Sequence, residues 1–142
     1  MSSYISEQVR QVIASRAGHL CEYCLIHEDD TFFGCEVDHI ISRKHGGKTE
    51  TDNLAYACFF CNRRKGSDIG SISSSGKYVR FFHPRNDAWN MHFQIEGALI
   101  TPITLIGEVT ASILDFNNSE RVLERKLLID SRKYPPGIGR AK

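Results

Sequence analysis

Four cysteines in two pairs, Cys21-Glu22-Tyr23-Cys24 and Cys58-Phe59-Phe60-Cys61, carry the first chemistry that these residue types allow. A two-residue spacer lets both thiolates of a pair face one ion. Two such pairs, 33 residues apart, can therefore close a tetrahedral shell around a single zinc. The alternatives are free thiols or a redox dithiol. A redox dithiol needs one exposed pair beside a strand-helix junction and leaves the other pair unexplained. Four thiolates fill the coordination of Zn2+ and leave no position for a substrate. The expected ion on Cys21, Cys24, Cys58 and Cys61 is thus a scaffold. Cys35, the fifth thiol, has no partner at ligand spacing and reads as a small buried strand residue.

A second constellation lies inside the loop that this clip would pin, or just beyond it: Asp38-His39, then Asn53, then Asn62-Arg63-Arg64-Lys65. Hydrolysis of a phosphodiester needs a base near neutral pH, a cation to hold developing charge, and something to aim the base. The imidazole of His39 suits the first task. Asp38 and the side-chain oxygen of Asn62 are hard donors that suit Mg2+ or Mn2+, and Arg63, Arg64 and Lys65 can grip phosphates. Successive residues of a regular strand face opposite ways, so Asp38 and His39 can share a site only where the strand twists, bulges or ends.

The elements that must position these groups can be traced along the chain. Residues 1–4 read as a frayed end. From Ser6 as N-cap through Arg16, the spacing of Ile5, Val9, Val12 and Ile13 predicts a helix stopped by Gly18, with Arg10 and Arg16 turned to solvent. Thr31 to Ile41 predicts one or two strands, sharpest from Glu36 to Ile41. Arg43 to Asp52, with Gly46-Gly47, reads as a loop, Leu54 to Ala57 as a strand, and Cys58 to about Asp68 as a basic helix. The Ser/Gly-rich Ile69 to Gly76 reads as a connector. Beyond it, strands are predicted over Tyr78 to Phe82 and Met91 to Glu96, with a turn near Pro84 to Asp87. Helices are predicted over Thr104 to Phe116 and Ser119 to Asp130, the latter with Val122, Leu123, Leu127 and Leu128 along one face. Trp89 and Phe93 read as core, His83 and His92 as structural groups, and His27 and His45 as loop residues.

Composition narrows the function classes. With 142 residues, 41% hydrophobic and 25% charged, the chain fits one globular unit and not a disordered one. No apolar run is long enough for a membrane span and no signal-peptide pattern opens the sequence, so a cytosolic protein with no membrane partner is expected. Net charge is only +1, divided as −2 over residues 1–70 and +3 over residues 71–142, which excludes a general polycation. Attraction for nucleic acid must be local, and Arg43, Lys44, Lys48, Arg63, Arg64 and Lys65 all flank the Asp-His-Asn set.

The ordered run Glu36-Val37-Asp38-His39-Ile40-Ile41, Gly46-Gly47, Asn53-Leu54 and Cys58-x-x-Cys61-Asn62-x-x-Lys65, framed by Cys21-x-x-Cys24, resembles the zinc-bearing form of the HNH endonuclease family over about residues 10–68. The resemblance implies an α+β chain: a ββα-metal core with a four-cysteine zinc site, an N-terminal helix, and a C-terminal α/β extension over residues 71–142 packed on the 1–70 core. It implies that His39 is the general base, Asp38 and Asn62 the ligands of a catalytic Mg2+ or Mn2+, and Asn53 the brace of the loop that holds the base. Asn62 stands where the family often has a histidine. Phe82-His83-Pro84-Arg85, Trp89, His92-Phe93 and Glu96-Gly97 resemble an extension seen in some stand-alone bacterial members. The expected activity is metal-dependent cleavage of DNA, with RNA left open, one strand per site, by a monomer or homodimer. The alternatives are a zinc-stabilised module that binds nucleic acid without cutting it, and a protein-interaction adaptor.

Overall fold

The computed structural model describes residues 4–137, so residues 1–3 of the expected frayed end lie outside the described residues. The centre of the chain forms a strand-loop-strand-helix unit. Strand β1 (Cys35–His39) pairs antiparallel with β2 (Leu54–Cys58), in a register that sets Cys35 opposite Cys58 and His39 opposite Leu54. The chain turns directly from β2 into α2 (Phe59–Lys65), whose N-cap is Cys58: its Sγ accepts from the Cys61 N–H at 3.5 Å. Gly66, at φ +53°, ends this helix three residues before the expected limit. Ahead of the hairpin runs α1 (Glu7–Arg16), capped by the Ser6 side chain on the Val9 N–H at 3.2 Å.

Helix α1 lays Ile13 and Ala14 on Leu54 and Tyr56 of β2. Val12, expected in that stripe, faces outward. Arg16, exposed as expected, also donates to the carbonyls of Thr51 (2.9 Å) and Leu54 (2.6 Å) and fastens the start of β2.

The second half adds two hairpins and two helices. Strand β3 (Gly70–Ile72) pairs with β4 (Tyr78–Arg80), and β5 (Phe93–Glu96) with β6 (Leu99–Pro102). The expected connector over 69–76 therefore contains a strand; its alternation is masked by small residues, and only the partner at 78–80 makes it visible. Helices α3 (Leu105–Ile113) and α4 (Ser119–Asp130) follow, each N-capped by a side chain, Thr104 and Asn118 respectively.

Helix α4 has the predicted length, but its buried face is rotated from the predicted one: Leu128 of the expected stripe packs on the core and Val122 is half-buried. Leu123 and Leu127 are 57% and 62% exposed, while Arg121 and Arg125 are among the most buried side chains. One apolar cluster joins the halves: Cys21, Tyr23, Cys24, Ile40, Ala55, Ala57, Cys58 and Cys61 pack with Phe81, Phe82, Phe93, Ile100, Val109, Leu114 and Phe116. Polar ties reinforce it. The Arg85 guanidinium pairs with Glu22, Trp89 Nε1 donates to the Tyr23 carbonyl (2.8 Å), and the Tyr134 hydroxyl donates to the Cys24 carbonyl (2.8 Å). No helix among the described residues is long and apolar enough to cross a membrane.

Candidate active site and metal centre

All four paired cysteines are buried, and their Sγ atoms lie within 4.8 Å of one another. Tetrahedral zinc with Zn–S near 2.3 Å spaces its sulfurs about 3.8 Å apart, and Cys24 Sγ lies 3.7 Å from Cys58 Sγ. Within each knuckle a backbone N–H points back at the first sulfur, Cys24 at Cys21 (3.4 Å) and Cys61 at Cys58 (3.5 Å). Burial pushes the thiols of Cys21 and Cys61 upward, while hydrogen bonds from the neighbouring thiols pull Cys24 down. Four thiolates at this depth need positive charge, and a dication supplies most of it. Arg121 supplies more: one of its terminal nitrogens donates to Cys61 Sγ at 3.1 Å and approaches Cys58 Sγ at 3.8 Å. Burial lowers the pKa of this guanidinium, but the charges of Cys61, Cys24 and Cys58 raise it by more. Nothing in the sequence pattern marks Arg121 as a partner of the cluster; its place between apolar positions of α4 is the one signal. Cys35 is half-buried at the start of β1, outside the group of four.

At the other end of the hairpin β1 ends at His39, with Asp38 and His39 both still in the ladder, opposite Ala55 and Leu54, and the two side chains take different partners. Asp38 turns inward, with its Oδ2 3.0 Å from the ammonium of Lys65, which also donates to the His39 carbonyl at 2.8 Å. Lys65 is thus not at the surface, where a phosphate contact was expected. It is buried and holds the end of β1 against α2. Beyond His39 the chain leaves the ladder and is caught by Asn53. The Asn53 side chain accepts from the Ile41 N–H and donates to the Ile41 and Lys48 carbonyls, each at 2.9 Å. Its backbone carbonyl accepts from the Ile40 N–H at 2.8 Å.

Gly47 makes this closure possible. A Cβ there would lie 1.7 Å from the Ile41 carbonyl oxygen and 2.8 Å from Asn53 Nδ2. The closed loop carries Thr49 to the imidazole, where its Oγ1 lies 2.8 Å from His39 Nε2. Thr49 was invisible to the sequence reading, because no spacing rule connects it to His39.

Burial raises the pKa of Asp38, and the Lys65 charge and hydrogen bond oppose that rise. Burial also lowers the pKa of His39; Asp38 pulls it back up, and Arg43 and Lys65 push it down. The net shift is downward, which favours the neutral imidazole. Asn62 stands one turn before Lys65 on α2, on the same side of the helix, and its side chain hydrogen-bonds to none of the described residues. Arg63 is exposed, with its guanidinium 5.1 Å above the Phe59 ring, and Arg64 pairs with Asp115 at 3.3 Å. His83 and His92 serve structure: His83 Nδ1 accepts from the Arg85 and Asn86 N–H groups, and His92 Nδ1 lies 2.7 Å from Thr104 Oγ1.

Residues 21–68 match the family model described as HNH endonuclease. The chain carries an HNH domain. Its matched segment begins at the first knuckle and ends just past α2, so both the four-thiol cluster and the His39 end of the hairpin fall within it. No curated protein matches the chain, and no solved structure does. An HNH domain supports a nuclease-type function, and its four buried thiols are compatible with zinc.

Proposed function

We propose that the chain is a metal-dependent DNA endonuclease in which Cys21, Cys24, Cys58 and Cys61 hold a structural Zn2+ and His39 is the general base. One observation carries the reading: Asn53 closes the 41–53 loop so that the His39 imidazole meets Thr49, while the adjacent Asp38 turns to Lys65 of α2. With Nε2–H donating to Thr49 Oγ1, the His39 lone pair sits on Nδ1, free to take a proton from water. Asp38 Oδ2 is buried with the Lys65 ammonium 3.0 Å away, and the Asn62 amide hydrogen-bonds to none of the described residues. Two hard oxygen donors with unused lone pairs fit Mg2+ or Mn2+. A divalent ion on Asp38 and Asn62 would supply the charge that neutralises the leaving 3′ oxygen, giving 5′-phosphate and 3′-hydroxyl ends. Arg63 contacts a flanking phosphate, and Lys65 fixes Asp38 and the end of β1. One site acts on one strand, so a monomer nicks.

A second reading, a zinc-held module that binds nucleic acid without cutting it, is favoured by the Lys65 ammonium, which already neutralises Asp38 at 3.0 Å. Supercoiled plasmid with Mg2+ or Mn2+ separates the two. The nuclease relaxes the plasmid by nicking, and His39→Ala stops the nicking while zinc content and circular dichroism stay unchanged. Intact plasmid with the wild-type chain, or undiminished cutting by His39→Ala, would remove the mechanism.

A further inference from the structure

Four phenylalanines on the knuckle side of the HNH domain are not spent on the core. Phe32 and Phe33 precede β1 and are 88% and 58% exposed. Their rings meet edge to face at 4.7 Å, Phe33 lies on Phe59 at 4.4 Å with an interplanar angle of 34°, and Phe59 meets Phe60 at 5.5 Å. Arg63, one turn along α2, caps the Phe59 ring. Isolated exposed aromatics are ordinary, but a contiguous set ending in a guanidinium has the make-up of a base-stacking surface.

We propose that Phe32, Phe33 and Phe59, with Arg63, form a platform that stacks unpaired bases of the DNA strand entering the His39 site. The proposal rests on the nuclease reading and adds a substrate class: DNA with single-stranded nucleotides beside the cut.

Two features of the surroundings select nucleic acid as the occupant. The arginines lie on the α2 side of the platform, where Arg63 can hold a phosphate while its planar face stays on the ring. Glu28 and Asp29 precede Phe32 closely in the chain. Glu28 is engaged by the Tyr56 hydroxyl and by His19 at 3.0 Å, and Asp29 lies 3.7 Å from His27. Carboxylates repel phosphate and the Arg63 guanidinium attracts it, which favours a strand with its backbone toward α2 and its bases on the rings. A duplex keeps its bases paired and offers no free base face to the rings.

Phe59 shares α2 with Lys65, whose ammonium reaches the His39 carbonyl. Phe59 to Lys65 spans about 9 Å along the helix axis, room for roughly three nucleotides at about 3.4 Å each. Stacked bases therefore lie about three nucleotides from the phosphate that His39 attacks.

The test uses the zinc-loaded full chain without added Mg2+, a 12-nucleotide single strand carrying 2-aminopurine, and the same sequence as a blunt duplex. Binding should quench the 2-aminopurine, and the single strand should bind more tightly than the duplex. Phe32→Ala/Phe33→Ala should weaken single-strand binding about tenfold or more, as loss of base–aromatic stacking does, and leave duplex binding unchanged. Phe32→Tyr/Phe33→Tyr should restore it. An unquenched probe, equal affinity of the alanine variant, or a variant that changes only sedimentation would overturn the platform; the last would assign the patch to contact between copies of the chain. Plasmid nicking is scored separately. Nicking without quenching leaves the nuclease reading standing alone, and quenching without nicking does the reverse.

Discussion

Replacing Arg121 by methionine keeps most of the side chain's apolar volume and removes its charge. The zinc-loaded cluster would carry a formal −2 from four thiolates and one dication, buried among Tyr23, Ile26 and Phe116, and Arg121 is the cation with nitrogens on the sulfurs. Its loss removes the 3.1 Å donation to Cys61 and leaves the Leu114 carbonyl, bonded at 2.8 Å, without that donor. Outer partners of metal ligands are worth about 10- to 100-fold in affinity, or roughly 1.4–2.7 kcal/mol. Breaking a buried charged contact costs about 3 kcal/mol of stability. Arg121→Met should therefore lose zinc to a competing chelator at least tenfold more readily and melt at a clearly lower temperature.

Stability and metal retention are linked, so Arg125→Met is the control. Arg125 is equally buried and donates to the carbonyls of Ala98 (2.7 Å) and Phe116 (2.8 Å), with no bond to sulfur. It should lower the melting temperature with a smaller effect on zinc. If both variants release zinc equally, or Arg121→Met releases it no faster than wild type, the counter-charge argument is wrong.

Two further outcomes follow from the same geometry. Gly47→Ala drives a methyl into the Ile41 carbonyl, so it should open the Asn53-braced loop and reduce nicking at least 100-fold while zinc stoichiometry is retained; activity near wild type would separate the loop from His39. The pKa of His83 is lowered: burial pushes it down, Asp87 pulls it back up, and Arg80 lowers it again. A depressed folded value means its contribution is complete above the unfolded pKa near 6.5 and falls as pH drops through 6.5 toward the folded value. The stability advantage of wild type over His83→Asn, which keeps an acceptor, should shrink by less than about 1 kcal/mol between pH 7.5 and 5.5, measured by urea midpoints. A constant difference would show that His83 does not titrate on unfolding.

The sequence was most legible where local rules act alone. The two knuckles, β1, β2 and the extent of α4 could be read from cysteine spacing, β-branched runs and caps, because each depends on neighbours within a few residues. Three features were hidden for one reason: a partner distant in sequence reverses the local signal. Lys65 looks like the third member of a surface basic run, yet Asp38 and the end of β1, 26 residues earlier, draw it inside. Leu123 and Leu127 look like a core stripe, but the sulfur cluster and the open carbonyls of 98 and 114–116 claim the arginine face instead. Gly70–Ile72 is a strand only because Tyr78–Arg80 lies beside it.

The first two reversals share a direction, since each replaces an apolar contact or a solvated charge with a cation placed against a fixed negative group. A ββα unit this small cannot bury four thiolates and one carboxylate on apolar packing alone. Lys65 answers the carboxylate from within the unit, but the thiolates' guanidinium is donated from α4, some 60 residues downstream of Cys58 and Cys61. The second half therefore does more than cover the zinc module. It completes the electrostatics of the clip, while Arg85 on Glu22 and Tyr134 on the Cys24 carbonyl lock the first knuckle from the same side. At the other end the loop from Ile41 to Asn53 is closed by the Asn53 side chain and the Gly47 approach, and is tied down by Arg16 on the Thr51 carbonyl and by Ser42 on the Ser67 carbonyl.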